Sequence, residues 1–166
     1  IVQHSGLYRL ELGAQYWYDV TAFEEQHQLA KAALEEEDDE KAARAFQQMV
    51  DLYRGDYVQP VYSDWCIWRR DQLRKTFMDA HQQLAGIAWR REAWDESLLH
   101  WQQLLMIDPC LETAHYGIMR CYSRQGKRDL ALRQYQRCST ELYEQLKTKP
   151  GRSLQKLYQR LSSLET

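Results

Sequence analysis

The residues that could bind a metal or act in catalysis are five histidines and four cysteines. No pair of cysteines has the spacing of a zinc knuckle or a redox motif, and such a scatter is typical of thiols in a reducing compartment. Glu96 and His100 share a helix face, but pairs four residues apart occur often by chance. Motifs of phosphate loops, zinc proteases and serine hydrolases are absent. We therefore predict no catalytic residue, no metal site and no cofactor, and we expect a protein that is not an enzyme.

Aromatic and basic side chains are mixed between Trp65 and Lys75, a pattern that can bind nucleic acid. Trp65, Trp68 and Leu73 nevertheless fall near helical spacing, which favours a stripe that packs into a core while the basic residues face solvent. We therefore expect this stripe to be buried. Direct nucleic-acid binding by the segment is the alternative.

The composition indicates helices. The 166 residues include only 7 Gly and 3 Pro, too few for a fold rich in tight turns. A hydrophobic content of 44% argues against intrinsic disorder, and a net charge of −2 does not indicate a nucleic-acid binder. No apolar run is long enough to span a membrane and no signal peptide is visible, so we expect a cytoplasmic protein.

Periodicity divides the chain into a short β part and seven helices. The segment Leu7–Leu12 alternates with period two, and Gln15–Val20 is its expected hairpin partner. The acidic run Glu35–Glu40 is expected to end one helix and form a turn, because six like charges repel. The helices are predicted at about residues 21–34, 41–53, 65–91, 94–107, 111–125, 129–146 and 153–164.

An internal repeat defines the architecture. At an offset of 34 residues, His81 aligns with His115 and Leu84 with Ile118, and a weaker copy begins at Phe23. An insertion at about residues 57–77 separates the first copy from the second. Recurring side chains such as these histidines are expected to serve packing. Each copy has a small and then a large residue in its second helix: Ala42 and Phe46, Ser97 and Trp101, Ala131 and Tyr135.

This period predicts an all-α, tetratricopeptide-like superhelix of helical hairpins, preceded by a short N-terminal β-hairpin. The first helix of each hairpin lines the concave face of such an array, which is its usual binding surface. Arginines beside aromatic rings on that face could hold an acidic or aromatic peptide, or a phosphate. Pairing with acidic residues of the same chain is the alternative. The predicted partner-binding groove consists of Trp89, Arg90, Tyr116, Arg120 and Arg124.

Several motifs resemble the bacterial transcriptional activator domain of the Streptomyces antibiotic regulatory protein family. They are Leu52-Tyr53-Arg54-Gly55-Asp56, then Trp65 with Arg70 and Leu73, then Asp108-Pro109 followed by Glu112, Ala114 and His115, and finally Pro150 with Leu157-Tyr158. The resemblance covers about residues 19–161. It implies a regulatory domain that couples promoter binding to activation by contacting RNA polymerase, by self-association such as a homodimer, or by contacting a sensor domain of the same regulator.

The N-terminus resembles the same regulators. Gly6-Leu7-Tyr8-Arg9-Leu10 is similar to the strand that ends their winged-helix DNA-binding domain. We therefore predict that residues 1–18 are the C-terminal hairpin of a winged helix and that residues 19–166 form the activator domain. The resemblance implies promoter DNA as a ligand only through an upstream recognition helix that these residues do not supply. A generic tetratricopeptide-like peptide-binding scaffold without a transcriptional role is the alternative function.

Overall fold

The computed structural model describes residues 2–4, 7–9, 18–58 and 63–163. In this part of the chain there are two short strands and seven helices, as the periodicity predicts. The helices are α1 (Asp19–Glu35), α2 (Asp39–Leu52), α3 (Asp64–Arg90), α4 (Trp94–Ile107), α5 (Glu112–Arg124), α6 (Arg128–Leu146) and α7 (Arg152–Ser162). Helices α1 to α6 form three hairpins. None of the described helices is long and apolar enough to cross a bilayer.

The two strands differ from the predicted hairpin. Strand β2 (Leu7–Arg9) coincides with the start of the predicted strand 7–12, but it pairs antiparallel with β1 (Val2–His4), which precedes it. Asp19 and Val20, the end of the expected partner, already belong to α1. Tyr18 immediately precedes α1, and residues 10–17 lie outside the described residues.

All three hairpins close through the same three-residue turn. Its middle residue has a positive φ: 58° at Glu37, 59° at Glu92 and 72° at Gly126. The next backbone N–H donates to a carbonyl five residues upstream, at 2.9 Å in every hairpin: Asp38 to Ala33, Ala93 to Ala88, and Lys127 to Tyr122. These bonds satisfy carbonyls that the end of the first helix would otherwise leave unpaired. The 34-residue repeat is therefore present in the backbone.

The predicted small and large positions match in successive hairpins. The fourth residue of the second helix is small and fully buried in each case: Ala42, Ser97 and Ala131. The eighth residue is large: Phe46, Trp101 and Tyr135. Trp101 lies against Gly117 of the next hairpin, and Tyr135 stacks on Tyr158 of α7 with 4.2 Å between ring centroids. These contacts confirm that small residues bring paired helices together while large ones fill the space between pairs.

The core runs along the array as three clusters rather than one central mass. Phe46 and Met49 of α2 anchor the first cluster, against α1 and α3. Leu104 of α4 and Ile118 of α5 belong to the middle cluster. The last cluster joins α5 and α6 to α7, where Leu157 is 3% exposed. Each helix therefore depends mainly on its neighbours in sequence, as expected of a helical repeat.

The predicted insertion lengthens a helix as well as a loop. Helix α3 has 27 residues, whereas its repeat equivalent α5 has 13. The first half of α3 is tied to the preceding loop, since Arg70 donates to the Tyr57 carbonyl at 3.1 Å and Arg74 pairs with Asp56. The extra turns of α3 therefore have an anchor outside the repeat.

The burial predicted for Trp65 and Trp68 is wrong. Their exposed fractions are 63% and 62%, whereas Cys66 is fully buried and Leu73 is 6% exposed. Successive helical residues point about 100° apart. The stripe that α3 buries here passes through Cys66 and Leu73, two turns apart, and it leaves both tryptophans outside.

Candidate partner-binding groove

A cavity of about 630 Å³ opens between α3, α5 and the start of α7. Four of the five predicted groove residues line it: Trp89, Arg90, Tyr116 and Arg120. The fifth, Arg124, lies at the edge, where its guanidinium carbon is 5.7 Å from the centroid of the Trp89 ring and 6.0 Å from that of Trp94. The helical spacing of these residues on α3 and α5 is what brings them to one surface.

The guanidinium group of Arg120 lies over an aromatic ring. Its guanidinium carbon lies 3.8 Å from the centroid of Trp89 and 5.8 Å from that of Tyr116. Tyr116 is one helical turn before Arg120 on α5, whereas Trp89 comes from the preceding hairpin. Stacking of this kind restrains a guanidinium while its in-plane N–H groups remain available to an acceptor. Arg120 forms no ion pair with any residue that the structure describes.

Arg90 behaves differently from its repeat equivalent Arg124. Its Nε donates to Asp39 at 2.8 Å, and a second guanidinium nitrogen contacts the other carboxylate oxygen. This hydrogen bond lowers the pKa of Asp39 and raises that of Arg90. The alternative of pairing within the chain is therefore correct for Arg90. The contact joins the first hairpin to the second at the edge of the groove.

Two glycines shape the floor of the groove. A Cβ atom at Gly117 would overlap the ring of Trp101, so the indole rests directly on the α5 backbone. A Cβ at Gly86 would meet only a guanidinium nitrogen of Arg90, at 3.8 Å. The side chain missing at Gly86 therefore leaves open space, while the one missing at Gly117 admits Trp101.

Helix α7 closes one end of the groove, which the sequence pattern does not predict. Gly151, Arg152, Ser153 and Leu154 all line the cavity. The Gly151 N–H donates to the carboxylate of Glu112 at 2.5 Å, which joins the start of α7 to the start of α5. The pair Pro150-Gly151 before a helical segment predicts that α7 begins directly after it. The face of the array against which α7 packs depends on tertiary contacts.

The recurring histidines serve packing, as expected. His81 and His100 face each other across the second hairpin with 3.0 Å between their Nδ1 atoms, and both are buried. In the third hairpin the equivalent pair is His115 and Gln134, at 2.7 Å, and the other ring nitrogen of His115 contacts the Pro109 carbonyl at 2.9 Å. Burial lowers the pKa of His81 to about 4 and lowers those of His100 and His115 as well.

The three arginines near the exposed tryptophans have partners within the chain. Arg69 bridges to Glu24 at 2.8 Å, and Arg74 and Arg70 bind Asp56 and the Tyr57 carbonyl. Such engagement weakens the nucleic-acid interpretation of this segment, since a phosphate-binding surface needs cations that the chain leaves available.

The cysteines show no sign of chemistry. All four are free thiols, and burial raises the pKa values of Cys121 and Cys138. Within the described ranges, no three His, Cys, Asp or Glu side chains converge as a metal site would require.

Three stacked helical hairpins, a capping helix and a groove on one face define a tetratricopeptide-like helical repeat. Solved structures share this fold, among them two complexes. The TPR2B domain of yeast Sti1, in a complex with pHsp70, is 14% identical, with a TM-score of 0.61 over 87% of this chain and 99% of that one. Mycobacterium tuberculosis EmbR, in complex with a low-affinity phosphopeptide, is 20% identical, with a TM-score of 0.71 over 89% of this chain and 39% of that one.

The family model of the bacterial transcriptional activator domain matches residues 18–162. The chain belongs to this family. No curated protein matches the sequence.

Proposed function

We propose that this chain is the protein-interaction domain of a bacterial transcriptional activator and couples promoter binding to activation. It does so by contacting RNA polymerase, a second copy of itself, or a sensor domain of the same regulator. The family match supports the transcriptional role. The observation that carries the interaction is the groove, where Arg120 is stacked on Trp89. The proposed mechanism is binding in the cytoplasm, without catalysis and without a cofactor.

The proposed domain organisation places DNA binding upstream. Residues 1–18 are the C-terminal hairpin of a winged-helix domain, and residues 19–166 are the activator domain. The antiparallel pairing of Val2–His4 with Leu7–Arg9 supports a β element at this position. In this arrangement promoter DNA binds to the upstream domain, and the helical array transmits the signal.

The proposed contact surface consists of Trp89, Arg90, Tyr116, Arg120 and Arg124. A 630 Å³ cavity lies within the range of sites that bind ligands of moderate size. The complex of the yeast Sti1 TPR2B domain with pHsp70 supports peptide recognition by repeats of this architecture. The partner is accordingly a protein segment.

Charge reversal in the groove tests this function. In the regulator that contains the chain, R120E/R124E should reduce promoter activation in a reporter assay at least tenfold, because the two cations near the Trp89 ring become anions. Arg90 is better left unchanged, since reversing it would also place two acidic groups together at Asp39. R133E/R160E is the matched control, because both arginines are exposed and lie on α6 and α7. It should retain activation.

Circular dichroism and promoter binding should be unchanged in both double variants. Full activation by R120E/R124E would refute the groove as the contact surface. The alternative, a peptide-binding scaffold without a transcriptional role, predicts that promoter activation survives deletion of the whole helical domain.

A further inference from the structure

The lining of the groove carries an excess of positive charge. Arg90, Arg120 and Arg152 face a single acidic residue, Glu112. Asp39 neutralises Arg90, and Glu112 already accepts the Gly151 N–H. Arg120 and Arg152 form no ion pair with any described residue. An anionic group entering the groove would therefore meet cations without displacing a carboxylate from either of them.

The Arg120 side chain is preorganised to bind an anionic group. Its position over Trp89 and near Tyr116 restrains a side chain that otherwise has many rotamers. A restrained guanidinium loses less conformational entropy when it forms bidentate hydrogen bonds with a carboxylate. The aromatic rings beside it also exclude part of the water that would compete for the ion.

An apolar surface adjoins this charge. The Trp101 ring lines the same cavity as Arg120, and no side chain occupies the space at Gly86. Leu154 also lines the cavity, but it is only 2% exposed, so the Trp101 ring provides most of the apolar contact area. A ligand with only an anionic group would leave this surface exposed to water. An apolar side chain next to the anion would bury it, which favours binding.

We propose that the groove recognises an extended peptide in which an aspartate or glutamate stands beside an apolar residue. The carboxylate binds Arg120, with Arg152 in the same cavity, and the apolar side chain packs on Trp101 and uses the space that Gly86 leaves open. This assignment rests on the proposed function, since it names the class of protein segment that the groove takes.

A random peptide library tests the ligand class directly, because it presents acidic, neutral and basic sequences together. The full 166-residue chain is immobilised and panned against phage-displayed dodecapeptides. The expected result is enrichment of sequences with an acidic residue next to Leu, Ile, Phe or Met, relative to the unselected library. The most enriched peptide is then synthesised with a fluorescent label, and its binding is measured by fluorescence anisotropy.

Three variants locate the binding. R120E should weaken binding of the enriched peptide at least tenfold, because an attraction becomes a repulsion. G86F fills the groove without a change of charge and should weaken binding by a similar factor. R133E is the matched control on α6 and should bind as the unmodified chain does. Circular dichroism checks that G86F remains folded. If it does not, G86L is the smaller substitute.

The outcomes separate this inference from the proposed function. Enrichment of neutral peptides that G86F blocks and R120E does not would overturn the acidic ligand class and leave the groove as a contact surface. Acidic peptides that bind all three variants equally would overturn both. Absence of enrichment would overturn the ligand class, and the activation assay would then decide the function. A peptide that binds only when phosphoserine replaces its acidic residue would overturn the carboxylate in favour of phosphate.

Discussion

At the residue scale, the buried pair His81 and His100 makes the stability of the second hairpin depend on pH. His81 and His100 share a 3.0 Å contact between Nδ1 atoms, in which one ring donates and the other accepts, so at least the accepting ring is neutral. Burial lowers the pKa of both rings, which keeps the pair neutral at pH 7. The third hairpin uses His115 and Gln134 at the equivalent positions. A glutamine is therefore an accepted partner for this histidine position.

The lowered pKa values predict a loss of stability in mild acid. Burial holds the pKa of His81 at about 4, so below pH 6.5 the unfolded chain binds a proton that the folded chain does not. Stability is complete above pH 6.5 and falls by about 1.4 kcal/mol per pH unit for each such histidine until the folded pKa is reached. Between pH 7 and 5, urea unfolding should show a loss of at least about 2 kcal/mol.

The variant H100Q separates this effect from general acid sensitivity. It copies the His–Gln pair of the third hairpin and removes one histidine with a lowered pKa. Between pH 6.5 and 5, the slope of the unfolding free energy against pH should decrease by up to about 1.4 kcal/mol per pH unit, which corresponds to one proton. An unchanged slope in a folded variant would contradict this account.

Gly117 and Gly86 offer a matched pair of substitutions in the groove floor. G117A should lower the unfolding free energy by about 1–3 kcal/mol, because the new Cβ overlaps the Trp101 ring and the indole must move. G86A should instead raise it by about 0.5–1 kcal/mol, since the site is open and alanine favours a helix. Chemical denaturation measures both, and equal effects would refute the close approach at Gly117.

At the level of elements, the three hairpin turns have one backbone shape but different residues. Gly126 adopts its positive φ readily, whereas Glu37 and Glu92 adopt nearly the same φ with a side chain attached. The acidic run Glu35–Glu40 predicts the first turn through charge repulsion, but only in the third hairpin does the middle residue itself favour a positive φ. The first two turns are formed by their hydrogen bonds and by packing of the flanking helices, which outweigh the residue preference.

This difference predicts opposite effects of two substitutions. E92G should stabilise the chain by about 0.5–1 kcal/mol, because it removes the strain of a left-handed non-glycine residue. G126A should destabilise it by a similar amount, because it introduces that strain. Thermal unfolding followed by circular dichroism compares the two variants. A destabilised E92G would mean that the Glu92 side chain contributes contacts that offset the strain.

At the level of the whole molecule, stability should be distributed along the array. L157A and M49A remove buried side chains from the last and the first core cluster, and each should cost about 2–5 kcal/mol. Hydrogen exchange should then increase most in α5–α7 for L157A and in α1–α3 for M49A, because neighbouring repeats carry most of the coupling. Equal increases in all helices for both variants would indicate one indivisible folding unit instead.

Local periodicity was enough to predict the seven helices, the 34-residue repeat and the placement of most of the candidate groove residues on one surface. Trp89, Tyr116 and Arg120 could be assigned to one surface from their helical positions alone. The tertiary structure decided that Asp39 pairs with Arg90, that α7 closes the groove, and that Trp65 and Trp68 remain exposed. Periodicity specifies which residues share a face of a helix, but which neighbour covers that face depends on contacts between residues far apart in the chain.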